Sequence, residues 1–289
     1  MNAMRKLIND YNNTEIPEEL NILVKQTLSK KKKGKARNIW IAVAAAVILF
    51  ITTVNTSSTV AYAFEDVPVL GKIVKLITFR EYKVDDGTYN ANIKVPAIEN
   101  LDNKELEASL NEKYLAENEK LYEQFTADME ELKKNGGGHL GVESGYEIKT
   151  DNKQILSIAR YNVNIVGSSS TTMKFDTIDK KNEVLITLPS LFKNNDYISI
   201  ISENIKEQMR AQMKKNSQKV YWVTGTGDEL FTEPFEKISK DQNFYINKQG
   251  KLVISFDKYE VAPGYMGVVE FVIPTKVIQK QLVSNEYIK

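Results

Sequence analysis

YEIKTDNKQILSIARYNVNIVG, Tyr146 to Gly167, alternates β-branched and aromatic residues with polar ones on both sides of Asp151-Asn152. That pattern is a β-hairpin with the polar pair at its turn. Immediately before it, Leu106, Leu110, Tyr114, Leu121, Phe125, Met129 and Leu132 recur at steps of three, four and seven, the mark of a long helix. Lysines and then KKNGGGH end that helix. Further out, TYNANIKVPAI (Thr88–Ile98) reads as a strand. Beyond the hairpin, SSSTTMKFDTID reads as a loop followed by a strand. DYISIISENIKEQMRAQMKKN carries a second helical stripe of Ile198, Ile201, Ile205, Met209 and Met213. Val220–Thr224 reads as a short strand, and NFYINKQGKLVISFDKYEVAPG as a hairpin turning at Gln249-Gly250. GVVEFVIPTKVIQKQLV reads as a strand and a short helix starting near Pro274. Strands and helices in this order predict an α+β class. Two consecutive modules are expected, 84–188 and 189–289, with the break near LPSLFKNND.

The chain has 289 residues, 42% hydrophobic and 27% charged, with a mean hydropathy of −0.36, so it is no polytopic membrane protein. It has no cysteine and one histidine, His139. Disulfides, zinc-thiolate sites, iron–sulfur ligation and a cysteine nucleophile are excluded. The net charge of +1 carries no general nucleic-acid signal. Nine of the 39 basic and four of the 38 acidic residues precede Phe64, which leaves 30 against 34 after it. The larger part is mildly acidic and suits a cationic partner, although so small a charge is also unremarkable.

From Asn38 to Phe64 no residue is charged, and IWIAVAAAVILFITTV is its densest apolar part. The stretch is long enough to span a bilayer, and residues 38–60 are the expected transmembrane helix. LSKKKKGKAR lies just before it, which places residues 1–37 in the cytoplasm and Phe64 onward outside the cell. A buried core helix and an unusually long signal peptide are the alternatives. In the cytoplasmic segment, Leu20, Leu23, Val24 and Leu28 share one face of a short helix entered at Pro17. That face either lies on the inner leaflet or fits a groove on a cytoplasmic protein. Glu18 and Glu19 favour the groove.

Ala61-Tyr62-Ala63 is a small-x-small signal-peptidase pattern, so the bond to Phe64 is a candidate cleavage site. Residues 61–83 form the cleavage and juxtamembrane segment. Within it, Val69, Leu70, Ile73, Val74 and Ile77 predict an amphipathic helix able to shield that bond.

No enzyme is indicated. His139 sits beside flexible glycines, and there is no GxSxG elbow. GGGH lacks the lysine of a phosphate loop. Glu130-Glu131 and Asp85-Asp86 are sequence neighbours that point different ways and read as solvated faces. Two loops remain as binding candidates: VGSSSTTMKF with Ser168, Ser169 and Ser170, and YEVAPGYMG with Pro263 and Tyr265. Ordinary loop chemistry explains either as well.

The combination of IPEEL, one transmembrane helix, an AxA site, VPVLGKIV and FDKYEVAPGYMGVVEFVIP resembles the RsiV family of lysozyme-sensing membrane anti-sigma factors over nearly the whole chain. TTMKFDTID and LPSLF add to the likeness. The resemblance implies a cytoplasmic segment that holds an extracytoplasmic-function sigma factor, an outer region that binds lysozyme, signal-peptidase cutting after Ala63, and a second cut by an intramembrane site-2 protease. It implies lysozyme contacts at Pro263 and Tyr265, with Ser168 to Ser170 facing the lysozyme cleft. It calls for no cofactor, no metal and no nucleic acid, and the absence of cysteine implies a metal-free cytoplasmic module. The alternative, from another class, is a membrane-anchored lysozyme inhibitor or wall-binding protein without signalling. A wall hydrolase is third.

Overall fold

The computed structural model describes residues 74–226 and 232–289. The expected cytoplasmic helix, the transmembrane helix at 38–60 and the bond after Ala63 lie outside the described residues. Among those described, no helix is long and apolar enough to cross a membrane. The chain runs β1 (Lys75–Asp86), β2 (Tyr89–Glu99), α1 (Lys104–Lys134), β3 (Leu140–Asp151), β4 (Ile155–Val166), β5 (Ser168–Asp179), β6 (Val184–Ile186), α2 (Asp196–Lys215), β7 (Phe244–Ile246), β8 (Leu252–Phe256), β9 (Val269–Ile273) and α3 (Thr275–Ile278). Strands β1 to β6 form one six-stranded sheet in sequence order, and β7 to β9 a three-stranded antiparallel meander. Only β2 and β3 are parallel in the larger sheet, because α1 carries the chain back between them. The class is α+β.

α1 forms where its stripe predicts. The Asn103 side chain accepts from the Leu106 N–H at 3.0 Å, Glu105 and Glu107 occupy the first turn, and Lys133 and Lys134 the last. Gly137, at φ +96°, donates its N–H to the Leu132 carbonyl and closes the helix. Leu110 and Tyr114 pack on Val95, Ile98, Leu156, Ile158 and Ile178. Phe125 packs on Tyr89, Ile93, Leu140 and Val142. The polar member of the stripe, Asn118, is buried and accepts from the Ser144 hydroxyl at 2.9 Å. α2 lays Tyr197, Ile201, Ile205 and Met209 against Ile254, Phe256 and Phe271 of the meander. Ile155 and Ile186 of the larger sheet join that same core.

Three elements differ from expectation. The helix predicted through the juxtamembrane stretch is strand β1 from Lys75 onward, pairing with β2 from Lys75↔Glu99 to Asp86↔Tyr89. Its β-branched residues fit a pleat, and the pairing with β2 shifts register by one residue between Thr78 and Arg80, leaving Phe79 exposed. Ser168–Ser170 are the first residues of β5 and not a loop. Val220–Thr224 forms no strand: Trp222 makes single backbone bonds to Val261 and Phe235, while Tyr221 and Val223 fill the core. The turn of the first hairpin falls at Asn152, whose Oδ1 accepts from the Gln154 and Ile155 N–H groups.

Charge is buried between α1 and the larger sheet. The Arg160 side chain is 7% exposed; its Nε donates to Asp176 Oδ2 at 3.1 Å, and its Nη1 is paired with Glu117. Lys113 reaches Asp176 Oδ1 at 2.8 Å, and Lys174 reaches Glu117 at 3.1 Å. The guanidinium lies 4.3 Å from the Tyr114 ring centroid. Burial alone would raise the Asp176 carboxyl. The Arg160 and Lys113 charges outweigh it and hold the group below its ordinary value.

A depressed folded pKa stabilises fully above the unfolded value and is lost as pH falls through the folded one. Stability of the full chain in detergent should therefore fall as pH drops below the ordinary value of 3.8. Asp176→Asn leaves the buried Arg160 with Glu117 as its one remaining carboxylate and should cost about 3 kcal/mol at neutral pH. It should also flatten the acid slope, as urea unfolding at pH 7 and pH 3 would show.

Candidate functional site

The two candidate binding elements are neighbours on the fold. β4 and β5 pair over their whole length, ending at Val166↔Ser168, and Gly167 alone reverses the chain at φ +72°. The tip is apolar as well as hydroxylic. Val166 is 63% exposed, Ile165 is also exposed, and Ser168 and Ser170 stand beside them. Ser169 is half-buried.

β6 covers the outer edge of β5 only at Thr177–Asp179. The rest of that edge is met by groups from the meander side. The Lys258 N–H donates to the Thr171 carbonyl at 3.1 Å. Asp257 Oδ1 accepts from the Met173 N–H at 2.7 Å, and Asn243 Nδ2 donates to the Met173 carbonyl at 2.8 Å. Thr171 and Met173 are alternate residues, so their free backbone groups point the same way along the strand. Lys258 Nζ also donates to Ser169 Oγ at 2.8 Å. Burial pushes the Asp257 carboxyl up, with the Met173 N–H opposing.

From Asp257 the chain turns into the second candidate. Glu260 closes the turn, its Oε2 accepting from the Asp257 N–H at 2.7 Å, and Gln242 donates to its Oε1 at 3.1 Å. Val261 and Ala262 are buried anchors. Pro263 then starts a 3-10 turn over Gly264–Met266, which Gly267 ends at φ +65°. Tyr265 is left 69% exposed, with its hydroxyl donating to the Gln218 carbonyl at 3.1 Å. Asn216, Gln218, Lys219, Tyr265 and Met266 line an open groove beside it. Tyr259 sits at φ +73°, unusual for a residue with a side chain. A Cβ on Gly264 would lie 2.2 Å from the Tyr259 ring, so the ring occupies the space that only glycine leaves open.

Sequence reading singled out Ser168–Ser170, Pro263 and Tyr265, and the fold brings their two segments together through Lys258. Tyr259 and Gly264 lie within the YEVAPGYMG candidate, but their ring-to-glycine packing and the link through Lys258 were missed; nothing local in DKYEVAPG marks a lysine as a cross-link. His139 is exposed just before β3. Among the described residues, no three His, Asp or Glu side chains gather as metal ligands. Leu20, Leu23, Val24, Leu28, Ala61, Ala63 and Phe64 lie outside the described residues.

Gly264→Ala should cost about 2 kcal/mol, because the methyl group must displace the Tyr259 ring. Trp222, hydrogen-bonded to Val261, is placed to report the shift. Its fluorescence should change in the native state, and the unfolding midpoint should fall. An unchanged spectrum and midpoint would show that the ring and Gly264 are not in contact.

Residues 31–146 match a domain of unknown function, DUF4179, and residues 189–276 match the protein family of unknown function DUF3298. The fold is shared with a DUF3298 family member from Bacteroides fragilis (TM-score 0.53, 17% identity, 73% of this chain and 94% of that one). It is also shared with a DUF3298 family protein from Pseudomonas aeruginosa PAO1 (TM-score 0.51, 11% identity, 76% and 98%). At those identities the likeness is one of fold alone. A relative in Bacillus subtilis strain 168, the anti-sigma-V factor RsiV, is 49% identical over 288 residues, covering 99% of either chain. With that identity sustained from end to end, the chain belongs to the family of the anti-sigma-V factor RsiV.

Proposed function

We propose that this protein is a single-pass membrane anti-sigma factor whose outer region is a lysozyme receptor. The observation that carries the anti-sigma role is the 49% identity to an anti-sigma factor across 99% of the chain, which includes the segment before the apolar stretch. In this reading the face of Leu20, Leu23, Val24 and Leu28 holds an extracytoplasmic-function sigma factor, and residues 38–60 cross the cell membrane. The outer part divides into α+β domains near residue 189, where the family match starts, the first of them beginning with β1 at Lys75 and not at the expected 84. Lysozyme meets the surface made by Ser168–Ser170, Pro263 and Tyr265. The support for that surface is physical. An exposed tyrosine and an exposed apolar hairpin tip are held on a fixed backbone, the kind of rigid aromatic anchor that recognition uses.

Lysozyme binding then makes the Ala63–Phe64 bond available to signal peptidase, a site-2 protease cuts the remaining helix, and the sigma factor is released. Binding shifts access only if lysozyme has different affinities for the closed and open states. The second reading, a membrane-anchored lysozyme inhibitor, uses the same outer surface and leaves the cytoplasmic face idle.

Full-length protein in lipid vesicles should be cut after Ala63 by signal peptidase when lysozyme is present and stay intact without it. Tyr265→Ala should weaken lysozyme binding about tenfold or more and reduce cutting in step. Binding without cutting would favour the inhibitor. Failure of wild-type protein to bind would remove lysozyme as the ligand. Leu23→Asp should release the sigma factor with no lysozyme added, and unchanged retention would overturn the sigma-binding face.

A further inference from the structure

We infer that Lys258 and Tyr259 are positioning residues that weld the β4–β5 hairpin tip and the Pro263–Tyr265 turn into one preorganised recognition face. The inference rests on the reading above only for the identity of the ligand. The chain of contacts is continuous. Ser169 Oγ accepts from Lys258 Nζ at 2.8 Å, and that ammonium lies 5.2 Å from the Tyr259 ring centroid. The Tyr259 ring fills the space beside Gly264, the residue between Pro263 and Tyr265. One side chain thus touches the middle serine of the hairpin and the ring that backs the turn. The Lys258 N–H to the Thr171 carbonyl and the Asp257 carboxylate on the Met173 N–H fix the base of the same joint.

Two features argue that the joint serves recognition beyond stability. The elements it couples are exposed, with Tyr265 69% and Val166 63% accessible, so the fold gains little burial by holding them still. The turn also holds Tyr259 at φ +73°, a conformation unfavourable in a non-glycine residue that surrounding contacts must impose. A face ordered before binding avoids the ordering cost at the moment of binding.

The test uses the full chain in detergent and two substitutions. Lys258→Met keeps the length of the stem and removes the ammonium. Lys258→Arg keeps a donor that reaches Ser169 and stacks on Tyr259. By hydrogen exchange, Lys258→Met should speed the amides of 168–172 and of 264–267 together, by about tenfold, while α1 and α2 stay unchanged. Lys258→Arg should restore both. For a basic ligand such as lysozyme, removing a positive charge would by itself favour binding. A loss of about tenfold in affinity on Lys258→Met is therefore opposite in sign to the charge effect and belongs to lost preorganisation. Ser170→Ala and Tyr265→Ala should be non-additive for lysozyme binding in the wild-type background and additive in Lys258→Met. Exchange at 264–267 that ignores Lys258→Met, or affinity that rises with it, would overturn the weld. If wild-type protein binds no lysozyme, the receptor reading falls, and the paired exchange response still decides whether the two elements are joined.

Discussion

The outer edge of β5 is the constraint around which the described part is built. β6 is three residues long and covers only the end of that edge at Thr177–Asp179. An uncovered edge would offer its N–H and C=O groups to any other strand. Asp257, Lys258 and Asn243 meet them instead, with one backbone donor, one carboxylate and one amide. The meander is placed against the larger sheet by the same kind of bond further along, where Thr150 Oγ1 donates to the Ile246 carbonyl at 2.7 Å. Phe175 stacks on Tyr245 at 5.4 Å between them. These directional bonds at defined positions add to the apolar core that the meander shares with Ile155 and Ile186.

The buried charges act differently. Arg160, Asp176, Glu117, Lys113 and Lys174 hold α1 against β4 and β5 at a level where Tyr114 and Asn118 already interrupt the apolar layer. Such a network adds little net stability over a well-packed apolar one, since desolvation offsets much of the Coulomb attraction. It does penalise a shifted helix, because any slip of α1 would pull Glu117 from Arg160 and Lys113 from Asp176, leaving the two buried charges of the sheet with only each other. The sheet that carries the hairpin is thereby held in one orientation relative to α1.

How far the sequence spoke for itself depended on the range of the interaction. α1, α2, β2, the second hairpin and the short helix after Pro274 were legible, since periodicity, caps and turn residues are local signals. β1 was misread because Val69, Leu70, Ile73, Val74 and Ile77 satisfy a helical spacing, while the partner that makes Lys75–Asp86 a strand lies across a tight turn and a bulge. Val220–Thr224 carries every local mark of a strand, yet its neighbours give it only single bonds. The serines looked like a loop because three hydroxyl residues after glycine favour one; the pairing with Asn164–Val166 prevails. The candidate residues at 168–170, 263 and 265 stood out in the sequence by type. Their adjacency did not, because Ser169 and Lys258 are 89 positions apart and only folding brings them together.

A receptor that controls a distant bond transmits no more than the free energy by which its ligand distinguishes two states. Contact energy spent on ordering loops is unavailable for that purpose. On the proposed reading, the ordering is done beforehand. Gly167 reverses the hairpin without a loop, Gly264 admits the Tyr259 ring, and the Gln218 carbonyl holds the Tyr265 hydroxyl. Tyr259 is held in a left-handed conformation with its ring against Gly264 and beside the Lys258 ammonium. A face made this way has few internal states of its own. Under the proposed receptor function, what a ligand gains there is free to act on the rest of the chain.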